Sequence, residues 1–174
     1  MLKTAPYAAS ERDLLYQHLE KVKHNDLLLM DRGYPSKALF FLLIAKGIQF
    51  CVRMKDDWWL EVNEFSRSDE KERVVTFKLP KKDRKLLKDY PQRHDKEISF
   101  RLIKVTLQNG ENEILCTSLN DMEKYLHEDF SELYHYRWNE EEAFKLLKCR
   151  IEIEDFSGKT AKAVKQDFLQ KSFY

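Results

Sequence analysis

Between Leu27 and Met54 the chain reads as a solid apolar run, a turn, an apolar helix and a second solid apolar run. Leu27 to Met30 lacks the polar alternation of a half-exposed strand, so it reads as a strand buried on both faces. Asp31-Arg32-Gly33-Tyr34-Pro35 follows as a turn, since Gly and Pro punctuate regular structure. Ser36 to Lys46 has the length of a helix, is apolar nearly all round, and is stopped by Gly47. Ile48 to Met54 is another buried strand. Parallel strands need a long crossover, usually a helix, so strand, helix and strand in this order predict a parallel α/β unit.

The flanks complete the plan. Ser10 and Asp13 have capping-box spacing, and Leu14, Leu15, Leu19 and Val22 recur at helical intervals behind them. Lys55 to Glu97 is highly charged, with turns expected at Pro80 and Pro91 and a strand at Val74 to Lys78. Ile98 to Leu107 and Glu113 to Ser118 read as strands joined through Gln108-Asn109-Gly110-Glu111, with Asn-Gly at the centre of the turn. From Asn120 onward the pattern is helical: Asp129 to Arg137, Asn139 to about Glu152, and Thr160 to Lys171 beyond the Gly158 loop. The expected organisation is an α/β core from 1–54 and 119–174, with an antiparallel β-rich insertion at 55–118.

Composition narrows the class. The chain has 174 residues, 43% hydrophobic and 35% charged, with a net charge of +1. It is long enough for one domain with a real core, and it carries no global basic signal for nucleic acid. Cys51, Cys116 and Cys149 are sparse, odd in number and without a C-x-x-C pair, which fits reduced thiols better than disulfides. The five histidines do not join them at zinc-ligand spacing. The N-terminus lacks the apolar core of a signal peptide, and the run Leu39 to Ala45 is too short to span a bilayer. A soluble, cytoplasmic protein of bacterial type, with no membrane partner, is expected.

Two carboxylates stand out. Asp31 lies where an apolar strand ends, and ligands of open α/β sheets bind beyond the carboxyl ends of strands. It could hold a metal there; it could equally cap the turn into the next helix. Glu141 lies in YHYRWNEEEAFKLLK, where Tyr134, Arg137, Glu141 and Lys148 fall near one line along a helix. A ladder of i,i+4 ion pairs is the plain alternative, and such pairs contribute only a few tenths of a kcal/mol each. Two details favour a site: Tyr134 and Trp138 are large aromatics on that side, and the bases outnumber the acid, leaving charge for a phosphate.

Tyr134, Arg137, Glu141 and Lys148 make the pattern Y-x2-R-x3-E-x6-K, which resembles the signature of DDE transposases of the insertion-sequence-four family. LLLMDRGYPSKALFFLLIAKGIQFCVRMK resembles that family's second-aspartate region, and ASERDLLYQHLE the helix before it. CRIEIEDFSGKTAKAVKQDFLQK resembles its C-terminal stretch. The matches run in order over most of the chain; only the part of the insertion from about Lys55 to Glu97 matches loosely.

The resemblance implies a partial RNase-H-like core with a β-rich insertion, acting on transposon ends and target DNA, with a homodimer as the working form of the full-length family. Asp31 would be the second carboxylate of a catalytic trio and Glu141 the third. Together they would hold Mg2+, with Mn2+ as substitute, in a two-metal site roughly 4 Å between ions. Arg32, Tyr134, Arg137 and Lys148 would contact the DNA backbone, Arg137 bidentately and Lys148 as a point charge. Hard cations prefer carboxylate oxygens, so a site without Cys or His ligands suits them.

The pattern departs from the family in one respect. The first aspartate and its strand have no match, since only MLKTAPYAA precedes Ser10 and none of it is acidic. The reading is therefore of a transposase fragment, truncated at the N-terminus and the C-terminus and inactive alone. Its Leu27 to Met30 strand should then lie at a sheet edge. A non-catalytic DNA-binding or interaction remnant, or another RNase-H-like nuclease, are the alternatives.

Two further features remain. Lys78 to Lys88, KLPKKDRKLLK, is a DNA-backbone patch or a solvated loop. Trp58-Trp59 is a base-stacking platform or, more simply, the anchor of a hydrophobic cluster. Arg137→Ala is expected to weaken binding to cut DNA ends more than Lys88→Ala, because a fixed bidentate contact is lost in one case and a diffuse one in the other. Electrophoretic titrations over a range of salt would read this; equal losses with equal salt slopes would point to unspecific attraction.

Overall fold

A computed structural model describes residues 11–107 and 110–137, together with 160, 162, 163 and 166. The chain divides into two compact units, Glu11–Tyr134 and a second made of Met1–Ser10 with His135–Tyr174. In the second, 135–137 are helical and 162–163 lie in another helical segment.

The first unit is a mixed α/β structure around one five-stranded sheet. Its strands are β1 (Leu27–Met30), β2 (Gln49–Arg53), β3 (Glu72–Lys78), β4 (Glu97–Thr106) and β5 (Asn112–Thr117). Their order is β1-β2-β5-β4-β3. β1 and β2 run parallel, with Leu27 beside Gln49 and Met30 beside Val52, and the other pairs are antiparallel. The helices are α1 (Glu11–His18), α2 (Lys37–Ala45) and α3 (Leu60–Ser66), and 129–134 is also helical. Among the described residues no helix is long and apolar enough to cross a membrane.

β1, α2 and β2 are the expected crossover unit. Ser36 caps α2, its hydroxyl accepting from the Leu39 amide at 3.3 Å. At the other end the Gly47 amide donates to Ile44 O at 3.1 Å and the Ile48 amide to Leu43 O at 2.9 Å. That double closure requires a left-handed residue, and Gly47 has φ +69°. β2 then starts two residues later.

Alternation along the strands sorts the core into two layers. Phe50, Val52, Phe77, Phe100, Leu102, Ile114 and Cys116 face one side, packed with Ala38 to Leu43 of α2. Phe40 stacks on Phe50 at 4.3 Å and meets Phe100 edge-on at 5.5 Å. The opposite face carries Cys51, Ile103, Val105 and Leu115, covered by Leu119, Phe130 and Tyr134. The apolar character of α2 all round follows from this: six consecutive residues of it are buried.

Two features differ from the sequence reading. β1 was expected to be buried on both faces, yet Leu27, Leu28 and Leu29 are only half-buried. It lies at the edge of the sheet among the described residues, where one flank is uncovered. And α3 sits in a stretch that reads as charged and turn-rich. Its apolar signal is brief: Trp59, Val62 and Phe65, spaced by three, are the only positions that turn inward.

β5 pairs with β2 through Cys51↔Thr117, Val52↔Cys116 and Arg53↔Leu115, so strands from 55–118 share one sheet with those from 1–54. The connection between β4 and β5 closes with the Leu107 amide donating to Glu111 O at 2.8 Å and Gly110 at φ +83°.

Gly47→Ala should destabilise the fold by about 1–2 kcal/mol, the cost of a left-handed residue bearing a Cβ. The added carbon would also lie 2.3 Å from the His24 ring, which must move. Urea unfolding followed by circular dichroism would measure it; an unchanged midpoint would mean that the helix end re-forms without a left-handed residue.

Candidate functional site

Asp31 follows the last residue of β1, as the apolar run implied. The Tyr34 amide donates to Asp31 O at 3.0 Å, closing a turn directly after the strand. Asp31 is half-buried, and its Oδ1 is covered without a hydrogen-bond partner among the described residues. Covering a carboxylate oxygen without a donor is costly unless a cation supplies the missing interaction. Arg32, next along, is exposed.

Tyr134 comes to the same strand end from 104 positions away. Its hydroxyl donates to Met30 O at 3.4 Å, a long bond to the carbonyl directly before Asp31. Its ring is buried, 3% exposed, between Phe130 and the face of the sheet that carries Cys51 and Leu115. Sequence spacing put Tyr134 on a helix; its pairing with the end of β1 was not legible there.

Arg137 belongs to the second unit, where it is helical and buried. Glu141 and Lys148 lie outside the described residues, as does Trp138. The structure therefore brings Asp31 and Tyr134 to one strand end. Among the described residues no group of three His, Cys, Asp or Glu side chains could hold a metal ion.

Among the described residues, neither cysteine offers a reactive thiol at this end of the sheet. Cys51 and Cys116 are fully buried, on opposite faces, and burial pushes the Cys51 thiol up to about 12 and the Cys116 thiol up as well. Neither yields a thiolate near neutral pH, so neither is a nucleophile or a soft-metal ligand there.

A buried arginine supports the segment that leads to Tyr134. Arg101 of β4 is 0% exposed. Its guanidinium grips Glu72 of β3 through Nε at 3.1 Å and through Nη2, donates from Nη1 to Tyr125 O at 2.6 Å, and lies 5.2 Å from the Phe130 ring centroid. Sequence reading missed it, because an arginine in an alternating strand reads as outward-facing.

A second concavity opens by the N-terminus of α2. It has a volume of about 300 Å3 and is lined by Pro35, Ser36, Lys37, Trp58, Trp59 and Lys82 among others. The tryptophan pair and the basic run, 20 residues apart in sequence, meet here.

A family model described as the transposase DDE domain matches residues 2–172. Neither a search of curated proteins nor one of solved structures returned a match.

Tyr134→Phe should cost under about 1 kcal/mol, since the hydroxyl's bond to Met30 O is long, whereas Tyr134→Ala should cost about 3 kcal/mol or more through the cavity it leaves. Thermal or urea unfolding of both variants would check this. Equal losses would show that the hydroxyl, rather than the ring, fastens the helix to β1.

Proposed function

This chain belongs to the transposase DDE domain family, and on that premise we infer that it is part of a machine that cuts and joins DNA ends by metal-assisted phosphoryl transfer. The finer assignment is to the insertion-sequence-four group, with its partial RNase-H-like core and β-rich insertion. The observation that carries the reading is the oxygen of Asp31, covered and without a partner among the described residues at a strand end, where the resemblance implies a metal-binding aspartate. A hard carboxylate oxygen of this kind fits Mg2+ or Mn2+. When bound, such ions supply Lewis-acid stabilisation of charge on the attacking and leaving oxygens.

The chain's own residues have separate tasks on this reading. Asp31 and Glu141 present the oxygens that hold the metals. Arg32, Arg137 and Lys148 hold the DNA backbone, Arg137 by a forked contact that sets orientation and Lys148 by charge. Tyr134 joins that set with its ring in the core and its hydroxyl at the end of β1 beside Asp31. The first carboxylate of the trio has no match in the sequence. With two ligand residues the cage is weak, since Mg2+ gives up its water reluctantly, and the 174-residue chain does not cleave DNA unaided. In the full assembly the partners are transposon ends, target DNA and a second copy of the protein, in the cytoplasm of a bacterial cell.

Manganese titration followed by electron paramagnetic resonance tests this. Wild type should bind Mn2+ in the presence of DNA carrying candidate ends, and Asp31→Asn and Glu141→Gln should each weaken binding at least about tenfold. The same samples should show no metal-dependent cleavage or strand joining. Mn2+ binding indifferent to both substitutions would remove the metal-site reading. Cleavage abolished by Glu141→Gln would show that another residue of this chain completes the cage.

A further inference from the structure

We propose that the cleft beside α2 binds an unpaired nucleotide of a DNA strand, its base on Trp58 and its phosphate on Lys82. The inference rests on the DNA-handling reading above and adds a site to it, distinct from the Asp31 turn and from the helix that carries Tyr134.

The floor of the cleft is built rather than incidental. Trp59 is half-buried against the core, edge-on to Phe40 at 5.6 Å and to Phe77 at 5.1 Å. As the residue that opens α3, it fixes the backbone of its neighbour. Trp58 thereby stands at the mouth with 39% of its surface exposed, an unusual state for the largest apolar side chain. Pro35 and Pro80 line the walls, and their fixed φ angles make those walls stiff. A volume of about 300 Å3 is on the scale of a single nucleotide.

Charge is arranged for a phosphate at the rim. Lys82 lines the cleft, on the 3-10 segment Lys81–Leu87 that starts after Pro80. Lys55 Nζ sits 5.4 Å from the Trp58 ring centroid, the place a stacked base would take; it would swing outward towards the strand. Lys37 is committed elsewhere: it lies 4.4 Å from the Phe77 centroid and 3.7 Å from Glu61. Asp83 on the rim offsets part of the positive charge. Base stacking therefore carries most of the affinity, and that is what separates this site from a diffuse basic patch.

Fluorescence anisotropy of the full chain with three labelled probes tests the proposal: a thymidine decamer, an abasic decamer with the same phosphates, and a blunt duplex. Trp58→Ala should weaken the thymidine decamer roughly tenfold while leaving the abasic decamer and the duplex unchanged. Trp58→Phe, which keeps a ring, should recover most of the loss. Lys82→Ala should weaken both decamers and lower the salt slope by about 0.7. If Trp58→Ala leaves the thymidine decamer unaffected, or weakens all three probes alike, the stacking site is wrong while the DNA-handling reading stands on its duplex binding. If wild type binds none of the probes, both fall.

Discussion

β2 is the strand on which the rest of the first unit depends. It pairs parallel with β1 on one side and antiparallel with β5 on the other, and it joins the crossover unit to the long antiparallel strands. Its N-terminal half is held by side chains as well as by the ladder. Thr117 Oγ1 donates to Phe50 O at 2.7 Å, the Phe50 amide donates to Ser118 Oγ at 2.9 Å, and that hydroxyl donates to Gln49 Oε1 at 2.6 Å. Phe50, Cys51 and Val52 are fully buried, so both faces of the strand are covered. A one-residue slip of β2 would move Phe50 away from Phe40 and put Cys51 into the phenylalanine layer. Register here is set by packing on two faces at once.

The second constraint is the arginine inside the sheet's other face. A guanidinium removed from water is stabilising only if its donors are met, and the loss of one partner of such a group typically costs 3–5 kcal/mol. Arg101 meets Glu72 on the neighbouring strand and the Tyr125 carbonyl on the segment before the helix at 129–134. It thus ties β3, β4 and that segment to one point, and Phe130 lies over it. Since Tyr134 is one helical turn beyond Phe130, the ion pair bears on where the Tyr134 hydroxyl meets β1. Core polarity of this kind specifies geometry where apolar packing alone would tolerate sliding.

The proposed site lies at the end of the sheet's least protected strand among the described residues. β1 is short, half-buried and at the edge among the described residues, and Asp31 follows directly from it. An edge strand presents unpaired backbone groups to any partner that can add to it. On the proposed reading, Asp31 would hold its metal where a large substrate can reach it. The aromatic cleft beside α2 begins only four residues from Asp31, so a DNA strand held in it would remain near that turn.

Much of this was legible from the residues in order. Local patterns determine the crossover unit: apolar runs of strand length, Ser36 as a cap, an apolar helix and Gly47 as its stop are each encoded within a few residues of where they act. The strands β3, β4 and β5 follow likewise from alternation and from the Asn-Gly turn, and Asp31 is visible as a strand-end carboxylate. The tertiary structure decided what depends on distant partners. It placed β5 against β2, turned Arg101 inward to Glu72, set the Tyr134 hydroxyl against Met30, and brought Trp58 and Lys82 to one cleft. The physical reason is the range of the interactions. Caps, turns and periodicity act over one or two turns of chain, whereas strand order, burial of a charge and the walls of a cleft arise only when segments far apart in sequence exclude water together.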